Sequence, residues 1–174
     1  MKLLMLLLFF VSTTCVGQTI DNKNIFNVAR NGSIRDIEML MQKNKDTINA
    51  VNANGFTPLL LACYKGNNDV AEYLMKKVNN INYVSPSGTA LAAVVVKGNY
   101  HLARKLLLYR ANPNLSDEQG VVPLMYAVQF KNIKLIRLLL EYEADKTVRD
   151  KTGKTPFEYA VFTKDEEIIN LLKQ

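Results

Sequence analysis

One histidine and two cysteines are all that the 174 residues supply of the side chains most used as metal ligands and nucleophiles. No Cys or His pair has metal-ligand spacing, and His101 stands alone at the start of a helical pattern. Cys15 falls in an apolar leader, which leaves Cys63. A single thiol forms no internal disulfide, so stability must come from a packed core, and Cys63 reads as a buried small hydrophobe. There is no Gly-x-Gly-x-x-Gly or other phosphate-cradling loop. The run Asp165-Glu166-Glu167 reads as charge at a helix start. No Lys/Arg run suits nucleic acid, although the net charge is +6; that surplus serves solubility and is compatible with an acidic partner. These absences exclude any marked catalytic, metal or cofactor site. The sequence predicts no enzyme and no cofactor.

Long apolar runs are also scarce. Residues 3–11 form one behind Met1-Lys2, followed by Ser12-Thr13-Thr14-Cys15-Val16-Gly17. The run is too short to span a bilayer and has the pattern of a secretory signal. Cleavage after Gly17 is expected, with a secreted or periplasmic product beginning at Gln18. The rival reading makes Cys15 a lipidated first residue, although Thr14 before it is bulkier than such signals usually carry. Residues 18–24 are a polar lead-in. Asn31-Gly32-Ser33 and Asn114-Leu115-Ser116 are glycosylation sequons, relevant only in a eukaryotic source.

What is present is a period. Gly55, Gly88, Gly120 and Gly153 follow one another at 33, 32 and 33 residues. Behind them come Thr57-Pro58-Leu59, Thr89-Ala90-Leu91, Val122-Pro123-Leu124 and Thr155-Pro156-Phe157. Ala62, Ala127 and Ala160 recur next, then a break, then Leu74, Leu106, Leu139 and Leu172. Spacing of this length marks a stacked repeat. Thr is a good helix N-cap, and Pro at the first helical position loses no hydrogen bond. Two short helices cannot enclose a core, but stacked neighbours bury their apolar faces on one another.

The pattern Gly-x-Thr-Pro-Leu, Ala, Gly and a Leu-rich second helix strongly resembles the ankyrin repeat. Residues 52–174 carry it in four units. A weaker unit with Ile25, Val28-Ala29-Arg30-Asn31-Gly32, Ile34, Ile37 and Leu40 is similar to an N-terminal capping repeat. The resemblance implies an all-α solenoid of about five helix-turn-helix units with short hairpin-like loops. The units are expected near 25–51, 52–84, 85–116, 117–149 and 150–174, as one ankyrin repeat domain over 25–174. Helices are predicted near 24–31, 34–43, 57–64, 67–77, 122–129, 132–142, 155–162 and 165–173. The first helix of the third unit, 91–96, is β-branched and is assigned by the repeat frame against its propensity. The connection at 44–51 is one residue longer than the later ones.

Two departures from the family stand out. The His that often follows Thr-Pro-Leu is replaced by Leu60, Ala92, Met125 and Glu158. The Gly after the second helix is replaced by Asn44, Val78, Arg110 and Glu143, so those ends are either strained or differently closed.

The resemblance implies a monomeric protein-interaction module, binding a protein partner through loop tips and first-helix ends that line a concave face. Candidate contacts are Phe56, Tyr64, Lys65, Val96, Lys97, Val121, Gln129, Phe130, Lys154 and Phe162, since aromatic side chains are favoured at hot spots. Phe130 and Phe162 also fit packing against a following unit, and Lys65, Lys97 and Lys154 also fit solvated charges. No nucleic acid and no membrane span are expected. The small exported form suits a bacterial source, where an inhibitor or immunity-type protein that blocks a toxin or enzyme is the alternative to a general binding module.

Overall fold

The computed structural model describes residues 24–173. The expected signal segment 1–17, the lipidation position Cys15 and nearly all of the polar lead-in lie outside the described residues.

Among the described residues, ten α-helices form five pairs: α1 (Ile25–Asn31) with α2 (Ile34–Lys43), α3 (Pro58–Lys65) with α4 (Asn68–Met75), α5 (Ala90–Val96) with α6 (Tyr100–Leu108), α7 (Pro123–Gln129) with α8 (Ile133–Glu141), and α9 (Pro156–Thr163) with α10 (Glu166–Leu172). No strand occurs among the described residues, only an isolated bridge between Ser85 and Gly88. The first helices α1, α3, α5, α7 and α9 pack in one row, and α2, α4, α6 and α8 pack in sequence behind them. The long junction after α2 contains a 3₁₀ turn, Lys45–Asn49, which takes up the extra residue.

Local chemistry starts each first helix. The hydroxyls of Thr57, Thr89 and Thr155 accept from the amides of Leu60, Ala92 and Glu158, and Pro58, Pro123 and Pro156 open their helices. Val122 has no such acceptor, so α7 begins without a side-chain cap. The fifth position of each first helix is Ala29, Ala62, Val94, Ala127 or Ala160, all with 0% exposure. A small side chain there lets neighbouring first helices approach closely. The second helices contribute Leu74, Leu106, Leu139 and Leu172 to the same core, fully enclosed. Burying each such side chain stabilises by about 1.5–3 kcal/mol. That outweighs the propensity loss of about 0.5 kcal/mol per β-branched residue. It is why α5 forms as a helix, with Leu91, Val94 and Val95 buried.

The replaced glycines resolve in two ways. Arg110 and Glu143 adopt the left-handed conformation at φ 65° and 62°. Each is followed by an amide reaching back five residues, Ala111 to Leu106 and Ala144 to Leu139, both at 2.9 Å, as in a Schellman closure. The other two helices end differently. Asn44 is extended at φ −150°, while α4 runs out through Lys76 in the helical region, and the Val78 amide donates to Leu74. The turn between paired helices shows the same trade. Gly66 and Gly98 are left-handed there, and Lys131 and Lys164 hold equivalent left-handed conformations at φ 51° and 55°.

Side-chain amides tie neighbouring pairs together. Asn82 donates to the Arg110 carbonyl and accepts from the Asn112 amide. One repeat later Asn114 donates to the Glu143 carbonyl and accepts from the Asp145 amide. The left-handed residues after α6 and α8 thus present their carbonyls to the preceding unit. On the second-helix row, Glu72 of α4 takes Lys105 and His101 of α6, and Arg137 of α8 takes Glu167 of α10 at 2.9 Å.

Candidate functional site: the first-helix face

The loop before each first helix is held by its leading polar residue. Oδ1 of Asn52 accepts from the amides of Asn54 and Phe56, Oδ1 of Asp117 from Gln119 and Val121, and Oδ1 of Asp150 from Thr152 and Lys154. The third loop is one residue shorter and uses Ser85, whose hydroxyl donates to the Gly88 carbonyl and accepts from the Ser87 amide. Adjacent loops are stitched by backbone, Glu118 N–H to Pro86 O and Lys151 N–H to Gln119 O. The tips therefore stand in a fixed row beside the first helices.

The second carboxylate oxygens of Asp117 and Asp150 accept from the Tyr126 and Tyr159 hydroxyls, each at 2.5 Å. Both tyrosines occupy the fourth position of their helix. Burial, then the adjacent carboxylate, pushes each phenol up to about 12. The Tyr159 hydroxyl, followed by the Thr152 contact and the turn amides, holds the Asp150 carboxyl well below the usual carboxylate range. These are structural bonds that lock tip to helix, with every acceptor engaged, and not an acid-base pair open to substrate. Cys63 is enclosed, and burial pushes its thiol up to about 12, which leaves it protonated and inert at neutral pH.

At the fourth position of α3 and α5 stand Leu61 and Ala93 instead of tyrosine. The small Ala93 leaves an opening between the rows. It is a groove of about 400 Å³, lined by Phe56, Tyr64, Ala92, Ala93, Val96 and Tyr126 among others, and predominantly apolar. Phe56, Val96 and Tyr126 are half-buried in its wall, and Tyr64 is 46% exposed. Lys97 lies over Tyr64 with Nζ 4.3 Å from the ring centre, a cation–π distance. At the other end of the row, Lys154 Nζ sits 5.2 Å from the Phe162 ring.

Of the sequence-predicted contacts, the structure brings Phe56, Tyr64 and Val96 into this one groove, lays Lys97 over the Tyr64 ring at its rim, and pairs Lys154 with Phe162 farther along. Phe130 and Phe162 are 57% and 70% exposed, so neither is consumed by packing. Lys65 and Gln129 are exposed on the same row. Val121 requires correction. It is buried at 9% exposure, its side chain part of the core cluster, and it offers little contact surface. Sequence reading missed Ala92, Ala93 and Tyr126. The signal was available, since Ala93 aligns with Tyr126 and Tyr159 in the repeat frame, but an alanine on a helix reads as filler until its neighbours are known.

A family model described as ankyrin repeats matches in three overlapping copies, over residues 7–86, 25–117 and 90–174. This chain belongs to the ankyrin repeat family. Members of that family typically serve as non-enzymatic protein-interaction modules. The chain is 28% identical over 112 residues to an ankyrin repeat protein of Fowlpox virus (strain NVSL), covering 63% of this chain and 26% of that protein. It is 32% identical over 89 residues to the protein fem-1 homolog A-like of Mus musculus, covering 51% of this chain and 14% of the relative. The matched part is thus a minor fraction of either relative. No helix among the described residues is long and apolar enough to cross a membrane.

Proposed function

We propose that this chain is a non-enzymatic module that binds a protein partner through its first-helix face, acting as a monomer outside the cytoplasm. The observation that carries the reading is the row of exposed rings Tyr64, Phe130 and Phe162 on a frame whose tips and helices are fixed by buried alanines and engaged carboxylates. Large aromatic side chains left in solvent on a rigid surface are the groups that become anchors when an interface closes over them. Export is supported by the apolar run at 3–11 behind Lys2 and the small residues before Gln18.

The test is site-specific photocrosslinking in the native host. A photoreactive amino acid replaces Tyr64 or Phe130 on the first-helix row, and Arg104 or Glu141 on the second-helix row, all exposed. The first pair is expected to capture one discrete protein species that the second pair does not. Capture from Arg104 and Glu141 alone would overturn the reading. The intact mass of the recovered protein reports whether processing has left Gln18 first.

A further inference from the structure

The groove between α3 and α5 has a chemistry of its own, set apart from the rest of the row by the missing tyrosine at Ala93. Its wall is aromatic and aliphatic, and its lining holds no charged side chain. Its rim at the helix ends is cationic: Lys65 follows Tyr64 directly, and Lys97 lies against the Tyr64 ring.

The charge is not local to these two. Each pair of helices carries a cation where its first helix ends: Arg30, Lys65, Lys97, Lys131 and Lys164. A cation there also suits the negative end of the helix dipole. At 131 and 164 the lysine stands in a left-handed conformation that Gly66 and Gly98 adopt without strain, so there the cation is kept at a backbone cost. Acids on the face are mostly occupied. Asp117 and Asp150 are held in their turns, and Glu158 caps α9 through Thr155. Glu118, at a loop tip on the opposite rim, is the remaining acid of the tips and first helices in the four regular units.

We propose that the groove receives one bulky apolar side chain from an acidic peptide segment of the partner, with the acids beside that anchor meeting Lys65 and Lys97. The inference rests on the interaction reading above and names the partner's chemistry. The apolar anchor supplies affinity by removing the groove's wall from water. The acids supply orientation and rate of encounter, and their contribution falls as salt rises. A basic segment is disfavoured by the same two lysines.

The full chain is titrated by fluorescence anisotropy with three labelled twelve-residue peptides: one Phe flanked by Asp and Glu, the same peptide with Ala for Phe, and the same peptide with Lys for the acids. The first is expected to bind at least tenfold tighter than either control and to weaken as salt is raised from 50 to 300 mM, concentrations on the order of those that change screening. Ala93→Tyr, which fills the opening with the residue found in the next two units, is expected to lower that affinity at least tenfold. Lys97→Glu, an exposed site, is expected to do the same with at most a small drop in melting temperature, since it gives up the Tyr64 ring contact and puts an acid at a helix end; a melt showing the variant folded at the assay temperature keeps the conclusion independent of the larger side chain folding well. Equal binding of the Phe and Ala peptides, tighter binding of the Lys peptide, equal binding of a single-stranded oligonucleotide, or no effect of Lys97→Glu would overturn the proposal. If the acidic Phe peptide fails while a photoreactive group at Tyr64 still captures a protein, the peptide chemistry is wrong and the interaction reading stands. If both fail, both are lost.

Discussion

Lys131 and Lys164 carry side chains in a backbone conformation that places Cβ close to the following carbonyl, at a cost of about 1–2 kcal/mol. Gly66 and Gly98 make the equivalent turn with no Cβ at all. Lys131→Gly and Lys164→Gly are therefore expected to raise stability by about 0.5–1 kcal/mol each, the relief being partly offset by the larger unfolded-state entropy of glycine. Chemical denaturation midpoints at constant slope would read it. A lower midpoint in both variants would mean that the lysine side chains make stabilising contacts that outweigh the strain.

Three ionisable groups that join tips to first helices make stability pH-dependent, with opposite signs at the two ends of the scale. The Tyr126 and Tyr159 phenols are raised from 10.0 to about 12 in the folded chain. Their stabilisation is complete below the unfolded value near 10 and is lost as pH climbs from there through about 12. The Asp150 carboxyl is lowered from 3.8. Its contribution is present above the unfolded value and declines as pH falls below it toward the lower folded one. Melting curves should fall off on both sides of a broad plateau. Tyr126→Phe with Tyr159→Phe should flatten the alkaline limb, and Asp150→Asn the acid limb. An alkaline limb unchanged by removing both hydroxyls would show that other groups set it.

At the scale of the helix, first and second members of a pair divide the work. Leu74 in α4 and Leu139 in α8 have no exposed surface, whereas Tyr64 at the end of α3 and Phe130 just beyond α7 present about half of theirs. Leu74→Ala and Leu139→Ala are expected to cost about 2–5 kcal/mol. Tyr64→Ala and Phe130→Ala should stay below about 1 kcal/mol in stability and be felt in partner binding instead. Thermal melts of the four variants side by side decide the matter. Aromatic variants melting as low as the leucine variants would make those rings core residues, and the proposed face would lose its anchors.

Across the whole molecule, stability is passed from neighbour to neighbour. Each pair contacts the next through its first helix; backbone bonds between tips add to the junctions of the third to fifth units, and Asn82 and Asn114 bridge the second to the third and the third to the fourth. In such a stack the interface terms couple units that are individually unstable. Asn114→Ala removes two hydrogen bonds between the third and fourth loops following the second helices. It is expected to cost about 1 kcal/mol and to broaden the denaturant transition as the last two pairs begin to open ahead of the rest. A transition displaced but unchanged in slope would mean that the remaining contacts suffice to keep the stack unfolding as one.

The architecture is legible in the sequence, because its determinants are local and repeat in phase. The Thr-Pro starts, the alanine column and the spaced leucines each describe one helix, and the 33-residue recurrence says that the helices stack. Even α5, whose valines argue against a helix, follows from register. The end of each second helix was not legible. Arg110, Glu143, Asn44 and Val78 replace the same glycine, yet only the first two enter the left-handed region. There the carbonyl of each is held by an asparagine about thirty residues away, a partner that no local pattern specifies.

The candidate site divides along the same line. Exposed aromatics at first-helix ends follow from periodicity alone, since a helix of known register has a known outward face. The groove does not. It exists because Ala93 is short between Leu61 and Tyr126, and those three become neighbours only when α3, α5 and α7 lie side by side. Likewise Lys97 reaches the Tyr64 ring from the next unit, and Val121 is enclosed in the core that the stacked units build. Sequence by itself determined the repeat, its helices and the face that meets solvent, for these depend on spacing along one chain. Tertiary structure decided where that face opens and which charges stand at the opening, because both depend on the lateral distance between units.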